Sequence, residues 1–376
     1  MNNLFDRDFL NDLLMDAKEV WPENFEDIEK KFNSCCFSIS VNVIKHLGIF
    51  QKKDDFETID SIKKKINIFK DAEYVLKQIL EILCEEKVLE KKDGGYICID
   101  DMPDVETPAE NLVIATRLFP GEWSPFQWLA RASDGIVDFI TGKLYAEEVM
   151  FPWNDFKLVE EVYFTSKIYG FYSRLAGKVI KRILENKFDS KVKMIEIGAG
   201  TGNGTINVLK ETSDRFEKYI FTDISKALVQ RAQKRIKKMN YGFFEYTTLD
   251  VTKNLENQGF GNGDADIALA VNVLHATENL QEGLRGAYNL LKKGGYLILS
   301  EIAPPPEGLY RYMELTFGLL PSYSVYSDRD IRPDAAIIRP EIWESEFKKA
   351  GFSKVETIPG SKLPHIDRGG IVIGMK

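Results

Sequence analysis

The stretch Met194-Ile-Glu-Ile-Gly-Ala-Gly-Thr-Gly-Asn-Gly-Thr205 decides the fold. Four short apolar-rich residues run into glycines at 198, 200, 202 and 204, and a helical pattern begins just after them. A strand that enters a glycine turn and leaves as a helix brings the backbone close to a ligand. A dinucleotide fingerprint wants glycine at the first, third and sixth positions. Here the sixth position is Asn203, so that requirement fails. No Gly-Lys-Ser/Thr follows, which excludes a P-loop. Glu196, two residues ahead of the turn, is a poor neighbour for a pyrophosphate and a good one for a cation.

Outward from this turn, strand-like runs alternate with helical ones. The strands are expected at Lys193–Ile197, Tyr219–Thr222, Gly242–Leu249, Asp266–Val273 and Tyr296–Ser300, with helices near 203–212, 225–238 and 279–292. Such alternation implies parallel strands joined by right-handed crossovers, an α/β Rossmann-like sheet. Lys354–Ile358 and Ile371–Met375 are expected to close it as an antiparallel pair. Ligands bind beyond the carboxyl ends of such strands. The second strand ends in Phe221-Thr222-Asp223, an acid ~20 positions past the glycines and placed for ribose hydroxyls. The third ends in Leu249-Asp250-Val251, a second carboxylate suited to an adenine amino group.

The first 150 residues read differently, as a mostly helical domain. Asp71–Lys87 carries Val75, Ile79, Leu80 and Leu83 at helical spacing, and Asp93-Gly-Gly95 then joins two short apolar runs as a hairpin signal. A helix followed by a small hairpin has the shape of a winged-helix unit, read here as a dimerisation or lid piece. A further helix with Trp123, Phe126, Trp128 and Phe139 fits either a core helix or a lid over an apolar substrate. The expected division is therefore 1–150 for the helical domain and 151–376 for the sheet domain.

The chain has 376 residues, 44% of them hydrophobic, and a net charge of −8 without an arginine-rich stripe, which argues against a nucleic-acid surface. The four cysteines fit neither a zinc pattern nor a disulfide framework, so no metal is expected. The N-terminus lacks a signal-peptide core. The longest apolar run, near Ala265–Leu274, is broken by Asp266 and Asn272 and falls short of the ~20 residues that span a bilayer. A cytoplasmic protein without a membrane segment is expected. Of three histidines, His46 is read as core beside Ile44 and Leu47, His365 sits in a Pro-His-Ile-Asp loop, and His275 stands just past the fourth sheet strand. An imidazole, with an ordinary pKa of ~6.5, suits a base at neutrality. Glu301 stands just past the fifth strand. Neighbouring strands lie ~4.8 Å apart, so the two are expected within hydrogen-bond reach.

A ribose, an adenine and a cationic centre without phosphate together describe S-adenosylmethionine. Ile195–Thr205 resembles motif I of class I methyltransferases. Leu118-Phe-Pro-Gly121, Phe221-Thr-Asp-Ile-Ser225, Asn272-Val-Leu-His-Ala-Thr277, Leu315-Thr-Phe-Gly-Leu319 and Ile331-Arg-Pro333 resemble the C-methyltransferase domains of polyketide synthases, over about 118 to 352. That resemblance implies S-adenosylmethionine held by Glu196, Gly198, Gly200, Gly202, Asp223, Ile224, Asp250, Val251 and Asn272. It also implies a His275–Glu301 dyad with Tyr163 lining the active site. The implied substrate is a β-ketoacyl thioester on the phosphopantetheine of an acyl carrier protein, methylated at the α-carbon, with other synthase domains as possible partners. O-methylation of a hydroxyl and a catalytically silent binding domain are the alternatives. Departures occur at Asn203 and Thr205's neighbour Gly204, where the family often has Gly-Gly-Thr-Thr, at Ser173 in place of an asparagine, and at Tyr323-Ser324 in place of a tryptophan pair. The last two are expected near the substrate pocket.

Overall fold

Val192–Ile197 pairs in parallel on both sides, which makes it the centre of a seven-stranded sheet in this computed structural model. The structure describes residues 6–358 and 369–376, apart from 262 and 334; His365 lies outside the described residues. Ten strands occur among them: β1 Phe56–Glu57, β2 Leu89–Lys92, β3 Gly95–Cys98, β4 Val192–Ile197, β5 Phe216–Asp223, β6 Phe244–Thr248, β7 Ala265–Val271, β8 Leu291–Ile302, β9 Lys354–Ile358 and β10 Gly369–Met375. The large sheet runs β6-β5-β4-β7-β8-β10-β9. Its first five strands are parallel, and β10 is antiparallel to both β8 and β9. Strand order reverses between β4 and β7, so the carboxyl ends of those two strands flank the crevice in which such sheets bind ligands.

The strands are the near-continuous apolar runs that a sheet covered on both faces requires. Ile195, Ala268, Leu297 and Leu299 bury against Leu280, Leu284 and Ala287 of the helix Leu280–Leu290 and against Trp343 and Phe347 of the helix Pro340–Lys349. Each large side chain taken from water there contributes roughly 2 kcal/mol. Asn279 caps Leu280–Leu290 by accepting from the Glu282 N–H at 3.1 Å. Ser225 caps the helix Lys226–Ile236 in the same manner.

Two compact units emerge from the contacts: Met1–Trp21, Tyr169–Pro306 and Tyr326–Lys376 form one, and Pro22–Ile168 with Glu307–Val325 the other. The expected single boundary at 150 therefore falls elsewhere, and the two units interleave along the chain. Polar contacts between distant segments accompany this division. In the sheet unit, Asp12 and Asp16 of the helix Arg7–Val20 pair with Arg182 of the helix Phe171–Lys187 at 2.9 and 3.0 Å. In the helical unit, Arg311 binds Glu85 at 2.9 Å and Glu86 at 2.5 Å, while Glu314 accepts from the Tyr74 hydroxyl at 2.6 Å.

The helical unit contains the expected hairpin. Asp93 and Gly94 both take positive φ, 48° and 76°, the two-residue turn that matches the twist of the flanking strands β2 and β3. β1 adds antiparallel to β3. Phe126, Trp128 and Phe139 are fully buried on the helix Trp123–Ile140, so those three are core side chains, whereas Trp123 is 38% exposed. His46 is exposed rather than core. On the helix Phe25–Leu47, Ile44 and Leu47 share the buried face, and His46 falls about 200° around from Ile44, where its Nδ1 lies 2.9 Å from the Asn42 carbonyl. All four cysteines are free thiols. Among the described residues, no helix is long and apolar enough to cross a membrane.

Candidate active site

The glycine turn after β4 is held open by its backbone. Gly198, Gly200 and Gly202 take φ of 56°, 53° and 82°, the left-handed region that a Cβ disfavours. At Gly198 a Cβ would also stand 2.1 Å from the Val273 side chain, so glycine is the only residue that fits. The turn is tied to the neighbouring strand end. The Ala199 N–H donates to the Thr222 carbonyl at 2.7 Å, and the Gly200 N–H donates to Asp223 Oδ2 at 2.9 Å. Arg235 reaches back to the Thr201 carbonyl at 3.0 Å. The helix Asn203–Thr212 then starts directly behind Gly202.

Asp223 is 6% exposed, and burial pushes its carboxyl up, against the pull of the Ser225 and Gly200 N–H groups. Each oxygen has two acceptor sites. The Ser225 N–H takes one on Oδ1 at 2.8 Å and the Gly200 N–H one on Oδ2. One site per oxygen is left, the donor-matched pair that two adjacent ribose hydroxyls require. Asp250 accepts from the Thr252 N–H at 3.0 Å and hydroxyl at 2.6 Å, both on Oδ1. Among the described residues its Oδ2 accepts from no protein group, which leaves it for an amino group. Ile224, between these carboxylates in the chain, is 71% exposed and offers an apolar surface. The residues present therefore fit an adenosine without a phosphate. Val251 differs from them: its side chain is buried in the core behind the sheet.

Glu196 lies beneath the turn. It is 1% exposed, and its Oε2 accepts from the Thr205 and Tyr219 hydroxyls, each at 2.5 Å. Its carboxylate is thus engaged within the protein, at the start of the helix behind the turn and on the neighbouring strand. Burial drives its carboxyl up to about 7, against those two hydrogen bonds. In the unfolded chain the group titrates near the ordinary carboxylate value, so the folded state holds the proton more tightly. Stability contributed by this site is complete below the unfolded pKa and is lost as pH rises through about 7. Glu196→Gln, which mimics the protonated form, is expected to melt several degrees higher than the parent at pH 8 and to match it at pH 5, a difference of at most about 3 kcal/mol. Equal melting temperatures at pH 8 would refute this.

Beyond β7, Asn272 turns the chain with φ 49°. Its N–H donates to the Ser300 carbonyl at 2.8 Å and its side-chain oxygen accepts from the Ile302 N–H at 2.9 Å, stapling the ends of β7 and β8. The short 3-10 turn Leu274–Ala276 follows. Glu301 of β8 serves this turn with both oxygens. Oε1 accepts from the N–H groups of Val273, Leu274 and His275 at 3.0, 2.9 and 3.4 Å, and Oε2 lies 2.5 Å from His275 Nδ1. Both side chains are buried, His275 at 7% and Glu301 at 2% exposure. A carboxylate only accepts, so Nδ1 carries the proton and the lone pair a base needs is on Nε2.

Tyr163 belongs to the helical unit, on the helix Lys157–Thr165, with its ring 6.3 Å from that of Phe317. Of the departures expected near the substrate, Ser173 and Tyr323 are buried and Ser324 is half-buried. Ser173 accepts from Asn203 Nδ2 at 2.6 Å, so two of the positions that depart from the resembled pattern meet each other. Tyr323 donates to Glu314 at 3.3 Å. Sequence reasoning assigned no role to Asp328 or Arg332, which the structure brings against the backbone of the His275 turn.

Residues 195–297 match a family described as a methyltransferase domain. The chain is 28% identical to the polyketide synthase PksM of Bacillus subtilis (strain 168) over 323 residues, 82% of this chain and 8% of that protein. It thus spans only about a tenth or less of the length of the bacterial synthases that it matches. It is 30% identical to the methyltransferase calH of Penicillium decumbens over 282 residues, 71% of this chain and 72% of that one. The solved CurJ carbon methyltransferase has the same fold, with a TM-score of 0.89, 23% identity and 98% of each chain covered.

Proposed function

Because the chain belongs to the S-adenosylmethionine-dependent methyltransferases, we propose that it C-methylates the α-carbon of a β-ketoacyl thioester during polyketide assembly, the acyl chain being carried on an acyl carrier protein. The observation that carries this reading is the buried imidazole of His275, oriented by Glu301 at 2.5 Å and standing at the carboxyl end of the strand beside the glycine turn. A hydroxyl acceptor would call on the same base, so the choice of carbon rests on the resemblance of Asn272–Thr277 and Leu315–Leu319 to C-methyltransferase domains. Methyl transfer to carbon needs a proton removed first, and a held imidazole is the group for that step.

Bound S-adenosylmethionine supplies an activated methyl group on a sulfonium. Asp223 would hold its ribose hydroxyls and Asp250 its adenine amino group, with Ile224 offering the purine an apolar surface and the glycine turn leaving room for the chain that carries the sulfur. Nε2 of His275 takes the proton between the ketone and thioester carbonyls. Glu301 holds the ring and balances the imidazolium charge that results. Tyr163 is proposed to donate to the acceptor's enolate oxygen, a role carried by the family resemblance. Homology to segments of polyketide synthases supports other synthase domains as partners.

The test is mass spectrometry of an acetoacetyl carrier protein incubated with methyl-labelled cofactor. One methyl mass at the α-carbon is the expected product, reduced at least tenfold in Tyr163→Phe. Transfer only to a hydroxyl-bearing acceptor would move the reading to O-methylation. No transfer to any acceptor would leave a silent binding domain.

A further inference from the structure

Arg332 is 1% exposed, in a segment outside any helix or strand. Its guanidinium is spent almost wholly on one stretch of backbone. Nη1 donates to the His275 carbonyl at 2.7 Å, and Nη2 to the carbonyls of Thr277 and Glu278 at 3.0 and 3.2 Å. Nε donates to Asp328 Oδ1 at 2.6 Å. The other oxygen of Asp328 accepts from the Leu280 N–H at 2.8 Å, at the first residue of the next helix. The Tyr326 ring lies 4.5 Å from the guanidinium carbon and fixes its plane. One buried ion pair thus satisfies four backbone groups between 275 and 280.

Glu301 collects the N–H groups at the start of the 3-10 turn, and Arg332 collects the carbonyls at its end. A negative charge at the amino end and a positive charge at the carboxyl end both oppose the turn's dipole, so the two lock it from opposite sides. A buried ion pair is weak evidence for stability, because desolvation offsets the attraction. Arginine also does here what lysine cannot: a planar fork reaches three carbonyls and a carboxylate at once.

From this geometry we propose that Arg332, held by Asp328, is the positioning residue for His275. It sets the imidazole against Glu301 by fixing the backbone on the carbonyl side of the turn. The proposal rests on His275 being the base, and it extends that reading to a residue 57 positions away in sequence.

The test uses the full chain, acetoacetyl-pantetheine as acceptor, and two variants, Arg332→Met and Arg332→Lys. Arg332→Met is expected to lose about tenfold to a hundredfold in kcat, the scale of a small misplacement of a catalytic group. KM and the affinity for S-adenosylhomocysteine should stay within about twofold. Arg332→Lys, which restores the charge but not the fork, is expected to fall between. The second readout is proton NMR of histidine-labelled protein. The Nδ1–H of His275, assigned by its absence in His275→Ala, should move upfield or vanish in Arg332→Met. A general loss of packing would instead lower cofactor affinity and melting cooperativity. Parent-like kcat and an unmoved resonance in Arg332→Met would overturn the proposal. If Arg332→Met does not fold, parent-like kcat and resonance in Arg332→Lys would overturn it as well. Should His275→Ala retain transfer, the base reading fails by itself, and the resonance in Arg332→Met still reports whether the ion pair positions the ring.

Discussion

His275→Ala is expected to slow methyl transfer to a β-ketoacyl thioester by ~10²–10⁴-fold, the usual contribution of a positioned base. Affinity for S-adenosylhomocysteine should change by less than about threefold, because the proposed adenosine contacts are Asp223 and Asp250 rather than this turn. The substitution has a structural side effect. Glu301 Oε2 loses its 2.5 Å partner while Oε1 keeps its three N–H donors, so a buried acceptor is left half served. That costs about 1–3 kcal/mol of stability and should appear as a lower melting temperature. Single-turnover kinetics and calorimetry on the same preparation separate the two effects. Turnover within tenfold of the parent would remove His275 from the chemistry, and a collapse in cofactor affinity would place it in the wrong subsite.

Asp223→Ala should act on the opposite quantity. Two hydroxyls bound to one carboxylate are charge-assisted, and losing them raises the dissociation constant for S-adenosylhomocysteine by ~10–100-fold. Some of that increase belongs to the turn, since the Gly200 and Ser225 N–H groups lose their acceptor together. Asp223→Asn divides the contributions. It keeps one oxygen for one of these donors, presents an amide to the other, and removes the charge. An affinity midway between parent and alanine variant indicates that the carboxylate serves both the loop and the ribose. Unchanged affinity in the alanine variant would dismiss the ribose assignment.

The sheet was legible because its signals are local. Met194–Ile197 is apolar apart from Glu196 and is followed by glycines whose φ values only glycine accepts easily, so strand end and helix start both show in twelve residues. The antiparallel closure by β9 and β10 was equally readable from two late apolar runs. Strand ends were less so. β8 begins at Leu291, five residues before the expected Tyr296, because Lys292, Lys293 and Gly294 are exposed and polar or small although they lie in the strand. The dyad was readable because the register Val271↔Ser300 sets Glu301, the penultimate residue of β8, beside the chain that leaves β7 towards His275. Other features need register or tertiary pairing that no local pattern carries. Glu196 meets Tyr219 only through the β4–β5 alignment, and Asp328 and Arg332 sit in irregular chain. The interleaving of the two compact units was illegible for the same reason, since residues 307–325 and the N-terminal helix join their units through contacts with segments distant in the chain.

That interleaved path constrains how such proteins can be recombined. Exchanging the helical portion for a relative's requires four cuts, at 21/22, 168/169, 306/307 and 325/326, rather than one. A chimera joined at a single point in the middle would inherit Tyr74 and Glu85 from one parent and their counterparts Glu314 and Arg311 from the other. Donor and recipient must therefore agree at those pairs before any change in activity can be read from the hybrid.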